Sequence, residues 1–212
     1  YGNFNNVRRL VAKLCQRDIA GVCIEDKLFP KTNSFIGENQ PLAEVNEFCG
    51  RIKAGKDTQS NPNFCLVARI EALISGWPME EALTRASAYE EAGADAILIH
   101  SKKTTADEVL EFSRTWSGKI PLIIVPTMYY KTPTEEYRNT SISSIIWANQ
   151  NMRAAISSMR KISRKIFHEE TLTEVEEEIV AVKEVFSLVG QNELADAEKK
   201  YFQNNNIEIS GI

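Results

Sequence analysis

The segment from Ile24 to Ser34 concentrates polar chemistry: Glu25, Asp26, Lys27, Lys31, Asn33 and Ser34 follow directly on an apolar run. A carboxylate at a strand end, such as Glu25, suits a magnesium ion that keeps its waters and is held through them. Lys31 offers a point charge to a phosphate, and the Asn33 amide can donate and accept at once. Two further apolar runs end in the same manner, one in Arg69 followed by Glu71, the other in His100 followed by Ser101. An arginine directly after Leu66, Val67 and Ala68 needs a partner, and its forked guanidinium suits either Glu71 or an anionic ligand. A histidine at a strand end can hold or share a proton near neutral pH. Loops as long as the one after Glu25 are often lids or binding loops, so residues 26–36 are expected to cover a ligand.

These groups need a frame that brings three strand ends to one rim. Five short apolar runs, 20–25, 64–69, 96–100, 121–125 and 142–147, alternate with helices predicted over 5–17, 42–55, 79–92, 106–117 and 132–138. The runs are continuous rather than alternating, as in strands buried on both faces of a parallel sheet. Pro78 suits the start of one helix, and Gly93 and Gly118 suit the ends of two others. Five β-α units in series imply a right-handed parallel α/β fold. Both open sheets and (β/α)8 barrels place ligands at strand C-termini, and polar groups gathered on one rim favour the TIM-type barrel. Five strands cannot close a barrel, so roughly three more units are expected upstream of Tyr1. After Trp147 the pattern becomes helical over 150–168, 174–188 and Leu194 to Phe202, with Thr173 and Glu176 at capping-box spacing. The chain reads as one domain: β-α units over 1–148, C-terminal helices over 149–203 and a frayed tail over 204–212.

The pattern Glu-Asp-Lys, five residues, Asn-Ser, here Glu25 to Ser34, resembles the signature of the phosphoenolpyruvate mutase family in the isocitrate lyase/phosphoenolpyruvate mutase superfamily. The resemblance continues in order through Lys53-Ala-Gly-Lys56, Val67-Ala-Arg-Ile-Glu-Ala72, Ala92-Gly-Ala-Asp-Ala96, His100-Ser-Lys-Lys103, Pro126 to Thr134 and Ile146-Trp-Ala-Asn149. It implies a TIM-type barrel, of which this chain carries about the last five β-α units and a helical tail. It also implies a magnesium-dependent isomerase that interconverts phosphoenolpyruvate and phosphonopyruvate, making the carbon–phosphorus bond of phosphonate biosynthesis. By the same resemblance Glu25 reaches Mg2+ through water, and Asn33, Lys31, Arg69 and His100 are catalytic. Arg69, His100, Ser101, Asn33 and Ser34 bind substrate, while Asp26, Lys27, Lys31, Asn33 and Ser34 belong to a gating loop. Family members read Asp-Ala-Asp-Thr-Gly-Tyr-Gly-Asn where this chain starts at Tyr1-Gly-Asn3, so the two aspartates that anchor magnesium are expected upstream. A late helix swaps between subunits in this superfamily, which implies a homodimer or homotetramer.

Composition narrows the alternatives. With 25 Lys and Arg against 29 Asp and Glu, the net charge of −4 offers no basic surface for nucleic acid. No apolar run reaches the roughly 20 residues of a spanning helix, so no membrane partner is expected. Cys15, Cys23, Cys49 and Cys65 show no CxxC spacing and are expected to be buried free thiols, which with the lack of a leader suggests a cytoplasmic protein. Three competing readings stand beside the mutase. A phosphonopyruvate hydrolase shares the fold, but lacks the full loop pattern that includes Asn33 and Ser34. A carbon–carbon lyase would carry a Lys-Lys-Cys-Gly-His loop, and no cysteine lies between Cys23 and Cys49. A non-catalytic scaffold would need no metal aspartates at all.

Overall fold

Val7, Val11 and Cys15 recur every fourth residue and are all buried, which sets the inward stripe of helix α1 (Phe4–Cys15). Its start is closed reciprocally: Asn3 Oδ1 accepts from the Asn5 amide and Asn6 Oδ1 from the Asn3 amide, each at 3.0 Å. The computed structural model describes residues 2–36 and 40–202 and divides into two compact units, Tyr1–Asn149 and Gln150–Ile212. The tail expected over 204–212 lies outside the described residues.

After α1 the first unit continues as β1 (Gly21–Glu25), α2 (Val45–Thr58), β2 (Cys65–Ile70), α3 (Met79–Glu91) and β3 (Ala96–Ile99). Then follow α4 (Asp107–Thr115), β4 (Leu122–Ile124), α5 (Glu135–Arg138) and β5 (Ile142–Ile145). All four strand pairings are parallel, and the order in the sheet is β1-β2-β3-β4-β5. This order separates the two α/β alternatives. Right-handed crossovers that always step in the same direction put every helix on one face, the winding of a barrel, whereas a doubly wound sheet reverses direction.

Covering of one face alone also changes the expected burial. Leu66, Ala68 and Ile70 of β2 are fully buried while Cys65, Val67 and Arg69 between them are not, so this strand alternates despite its continuous apolar sequence. Ile24, Ile97 and Ile99 join the buried side, packed in one core with Phe48, Ile52, Ala86, Tyr89 and Phe112 from the helices. Only β3 is buried at every position.

Helix α2 runs to Thr58, beyond the end expected at residue 55. Gly55 is an approach point rather than a stop: a Cβ there would meet Leu66 Cδ1 at 2.6 Å, so its absence lets the helix lie close on β2. Gly93, with φ of 101°, does close its helix as expected. Gly118 does not, because α4 ends at Thr115, where the Trp116 amide bonds the Phe112 carbonyl at 2.8 Å. The four cysteines are free, yet only Cys15 is buried; Cys23 and Cys65 are exposed on the face of the sheet that carries no helices.

The second unit contains α6 (Gln150–Glu169), α7 (Val182–Leu188) and α8 (Gln191–Tyr201), and Val175 is its single buried residue among those described. The helix expected over 174–188 is confined to α7. Residues 173–178 form turns instead, and Thr171 and Thr173 pair their hydroxyls 3.0 Å apart, so no capping box forms. Glu174 and Glu178 lie 2.9 and 3.0 Å from Lys165, and charge pairing across the turn favours this path over a helix that would stack consecutive glutamates. No described helix is long and apolar enough to cross a membrane.

Candidate active site

Parallel register carries the three strand ends to one rim. Glu25 lies opposite Arg69, and Arg69 opposite Leu98, so Glu25, Arg69 and Leu98 point to the same face; Glu71 and His100 follow two residues later. That face is the one without helices. Around the edge strand β1 a cavity of about 790 Å³ is lined by Leu10 and Leu14 of α1 together with Cys23, Glu25, Phe29, Lys31 and Arg69.

Charges alternate along the rim. Lys31 Nζ lies 2.9 Å from Glu25, Glu25 lies 3.6 Å from Arg69 Nε, Arg69 Nε lies 2.6 Å from Glu71, and Glu71 lies 3.4 Å from Lys27 Nζ. Three cations against two carboxylates leave one net positive charge, which suits an anionic ligand. The nearest approach of Arg69 to each carboxylate is through Nε. Burial alone would raise the Glu71 carboxyl, but Arg69, the Ser34 hydroxyl and Lys27 outweigh it and hold that group below the usual carboxylate range.

His100 is 3% exposed, and its Nδ1 is buried without a hydrogen-bond partner. Burial, reinforced by the positive charge of Arg69, pushes its imidazole down to about 4, so the ring is neutral at physiological pH. The Phe35 ring stands edge-on to it at 5.7 Å. His100 is therefore inside the protein beside the charged rim rather than in the cavity wall.

The loop after β1 divides into a fixed root and an exposed span. Asp26, completely buried, accepts from the Glu71 amide at 2.8 Å, the Tyr89 hydroxyl at 2.8 Å and Arg85 Nη1 at 3.1 Å. Burial pushes its carboxyl up, and these three donors oppose that. Lys27 is equally buried, bonded to Gln40 and paired with Glu71. Both were expected in the gating loop, and both belong to its anchor, because a buried ion pair cannot open without stranding a charge. Lys31 is half exposed beside Glu25. Asn33 is exposed, and its Oδ1 accepts from the Phe35 amide at 2.9 Å, so it shapes the local turn and is not brought to Arg69 or His100. Ser34 does reach the rim, donating to Glu71 at 2.5 Å. Residues 37–39 lie outside the described residues.

Ser101, expected to bind substrate, is completely buried; it donates to Glu108 at 2.5 Å and accepts from the Lys103 amide at 3.1 Å. With its proton committed, it fastens the entrance to α4. Sequence reasoning had no means of finding Arg85 and Tyr89, whose spacing on α3 reads as an ordinary helix face, nor Gln40, which bonds the carbonyls of Asn33 and Ile36 across the loop.

Among the described residues no three His, Cys, Asp or Glu gather as a metal cage. Glu25, a lone carboxylate between two cations, fits an ion held through water, the mode magnesium accepts, and does not fit direct multidentate binding.

Residues 1–167 match the family model described as phosphoenolpyruvate phosphomutase. The chain is 54% identical over 202 residues to a phosphoenolpyruvate phosphomutase of Tetrahymena pyriformis, covering 95% of this chain and 67% of that one. Among solved structures it resembles the phosphoenolpyruvate phosphomutase of Streptomyces platensis subsp. rosaceus, with a TM-score of 0.93 and 43% identity over 95% of this chain and 70% of that one. It also resembles a phosphonopyruvate hydrolase in complex with oxalate and Mg++, with a TM-score of 0.88 and 37% identity over 95% of this chain and 69% of that one. The chain spans about two thirds of the length of the curated relatives it matches. The rim signature, the sequential parallel sheet and this extent of identity place the chain in the phosphoenolpyruvate phosphomutase family.

Proposed function

We propose that the protein carrying this chain is a magnesium-dependent phosphoenolpyruvate mutase, an isomerase that interconverts phosphoenolpyruvate and phosphonopyruvate. The observation that carries the reading is the alternating row Lys31, Glu25, Arg69, Glu71 and Lys27 at one rim, under a loop that bears Asn33 and Ser34. The reaction moves a phosphoryl group between the enolate oxygen and C3 of the same pyruvate skeleton. Its demands are to hold an enolate, to stabilise charge on the moving group and to exclude water.

Each demand has a residue here. The terminal nitrogens of Arg69 bind anionic oxygens through their fork. His100, neutral at pH 7, can share a hydrogen bond with an enolate oxygen without delivering a proton to the carbanion. Lys31 meets phosphate oxygens as a point charge, and Asn33 keeps its amide nitrogen as a donor toward the moving group. Leu28, Phe29 and Phe35, all exposed on the loop, are the apolar surface that would displace water on closure. A bound Mg2+ would neutralise enolate and phosphoryl charge, and Glu25 is this chain's contribution to its hydration shell. The assembled protein is a homodimer or homotetramer acting on a small molecule in the cytoplasm.

Following phosphonopyruvate by 31P NMR with Mg2+ tests the reading. The expected outcome is replacement of the carbon-bound phosphorus signal by that of phosphoenolpyruvate. Release of orthophosphate would point to the hydrolase instead, and an unchanged spectrum would overturn both.

A further inference from the structure

Glu71 stands where three parts of the site meet. Its side chain is completely inaccessible, and its amide donates to Asp26, which Arg85 and Tyr89 fix from α3. The carboxylate therefore hangs from a rigid frame. One oxygen, Oε1, takes Arg69 Nε at 2.6 Å; the other, Oε2, takes the Ser34 hydroxyl at 2.5 Å and faces Lys27 Nζ at 3.4 Å. Ser34 is the single buried residue of the span 28–36, whose other members are all exposed. Gln40, bonded to the buried Lys27, holds the Asn33 and Ile36 carbonyls and Thr32 Oγ1, and Lys31 pairs with Glu25; Ser34 is the residue of the span that hydrogen-bonds Glu71 itself, just past the strand that carries Arg69.

We propose that Glu71 is a positioning residue with two duties: Oε1 aims the Arg69 guanidinium at the ligand, and Oε2 latches the loop over the site through Ser34. Loop closure and arginine orientation are then set by one carboxylate, so neither can change without disturbing the other's partner. The ionised carboxylate suits this work, because a charged acceptor makes shorter and stronger hydrogen bonds than a neutral one. Most residues of the span are exposed and have little packing to lose, so loss of the buried Ser34–Glu71 bond loosens its hold on the site. Pinning Arg69 through Nε fixes the plane of its fork while using neither terminal nitrogen in that hydrogen bond. The duty toward the ligand rests on Arg69 binding an anion, as proposed above; the latch does not.

Two readouts separate these. Hydrogen exchange of peptides covering residues 28–36, measured on the ligand-free protein, reports the latch without reference to catalysis. Glu71→Gln and Ser34→Ala are each expected to speed that exchange at least tenfold, and the double variant to be no faster than Glu71→Gln, because both remove the same bond. Unchanged exchange in Ser34→Ala would overturn the latch, as would fully additive effects. Titration with oxalate in the presence of Mg2+ reports the second duty: Glu71→Gln is expected to weaken binding at least tenfold, with Glu71→Asp recovering part of the loss. Wild-type affinity in Glu71→Gln would overturn the aiming of Arg69. Should Glu71→Gln fail to fold, Ser34→Ala decides the latch and Glu71→Asp decides the aiming, for which wild-type oxalate affinity is the overturning result. A protein that latches but does not isomerise phosphonopyruvate would sink the functional reading and leave the latch standing.

Discussion

His100 shows how a single environment sets chemistry. At the end of a buried strand, 3% exposed and close to the charge of Arg69, its imidazole titrates near 4 instead of 6.5. The unfolded chain therefore takes up a proton as pH falls through 6.5, while the folded one does not until about 4. In that window the unfolded state binds more protons, so stability present above pH 6.5 is lost on acidification. The loss between pH 7.5 and 4.5 is about 2–3 kcal/mol. Urea titrations at those two pH values should show a smaller drop for His100→Gln than for the wild type, by roughly that amount. Equal drops would mean that His100 is protonated in the fold. Nothing in the His-Ser dipeptide foretells this, since a histidine there reads equally as a solvated base.

Between elements, the decisive contact is the one that joins β1 to β2 and α3 through Asp26. Its oxygens bridge the Glu71 amide, Tyr89 and Arg85, and Arg85 Nη1 also donates to the Ala43 carbonyl at 3.0 Å. Asp26→Asn keeps the volume but leaves Arg85 without its buried counter-charge, and should lower unfolding free energy by about 3–5 kcal/mol in chemical denaturation. Asp26→Asn combined with Arg85→Leu should be less damaging than the sum of the two single changes, because the second removes the stranded charge. A single-variant effect below about 1 kcal/mol would show that the pair is dispensable. In the sequence Asp26 is one polar residue in a polar loop. Its burial follows from the side of the sheet on which α3 packs, which local composition does not specify. The same holds for Gly55, where a helix-ending residue type serves close packing instead, and for residues 173–178, where pairing with Lys165 competes with helical propensity.

At the scale of the whole molecule, β1 bonds only to β2 and β5 only to β4 among the described residues, so both sheet edges carry open backbone groups. The second unit leaves Phe167, Leu188 and Val189 exposed, apolar surface that soluble proteins usually cover. The exposed apolar surface agrees with the proposed self-association. Light scattering on the purified protein is expected to give the mass of two or four copies across micromolar concentrations, and the mass of one copy would retire the homo-oligomer.

Periodicity and strand-end composition were enough to read five β-α units in series, because alternation of short apolar runs with amphipathic helices admits few arrangements. The same local signals marked Glu25, Arg69 and His100, since polar groups directly after buried strands must emerge at one end of a parallel sheet. Three things required the folded chain. The strand order, set by long-range pairing, separated barrel winding from an open doubly wound sheet. The depth of each loop residue, set by what packs above it, moved Asp26, Lys27 and Ser101 from the expected site into its supports. And the convergence of Ser34, Arg69 and Lys27 on Glu71 joins residues up to 44 positions apart in sequence, from Lys27 to Glu71, a proximity that only tertiary packing creates.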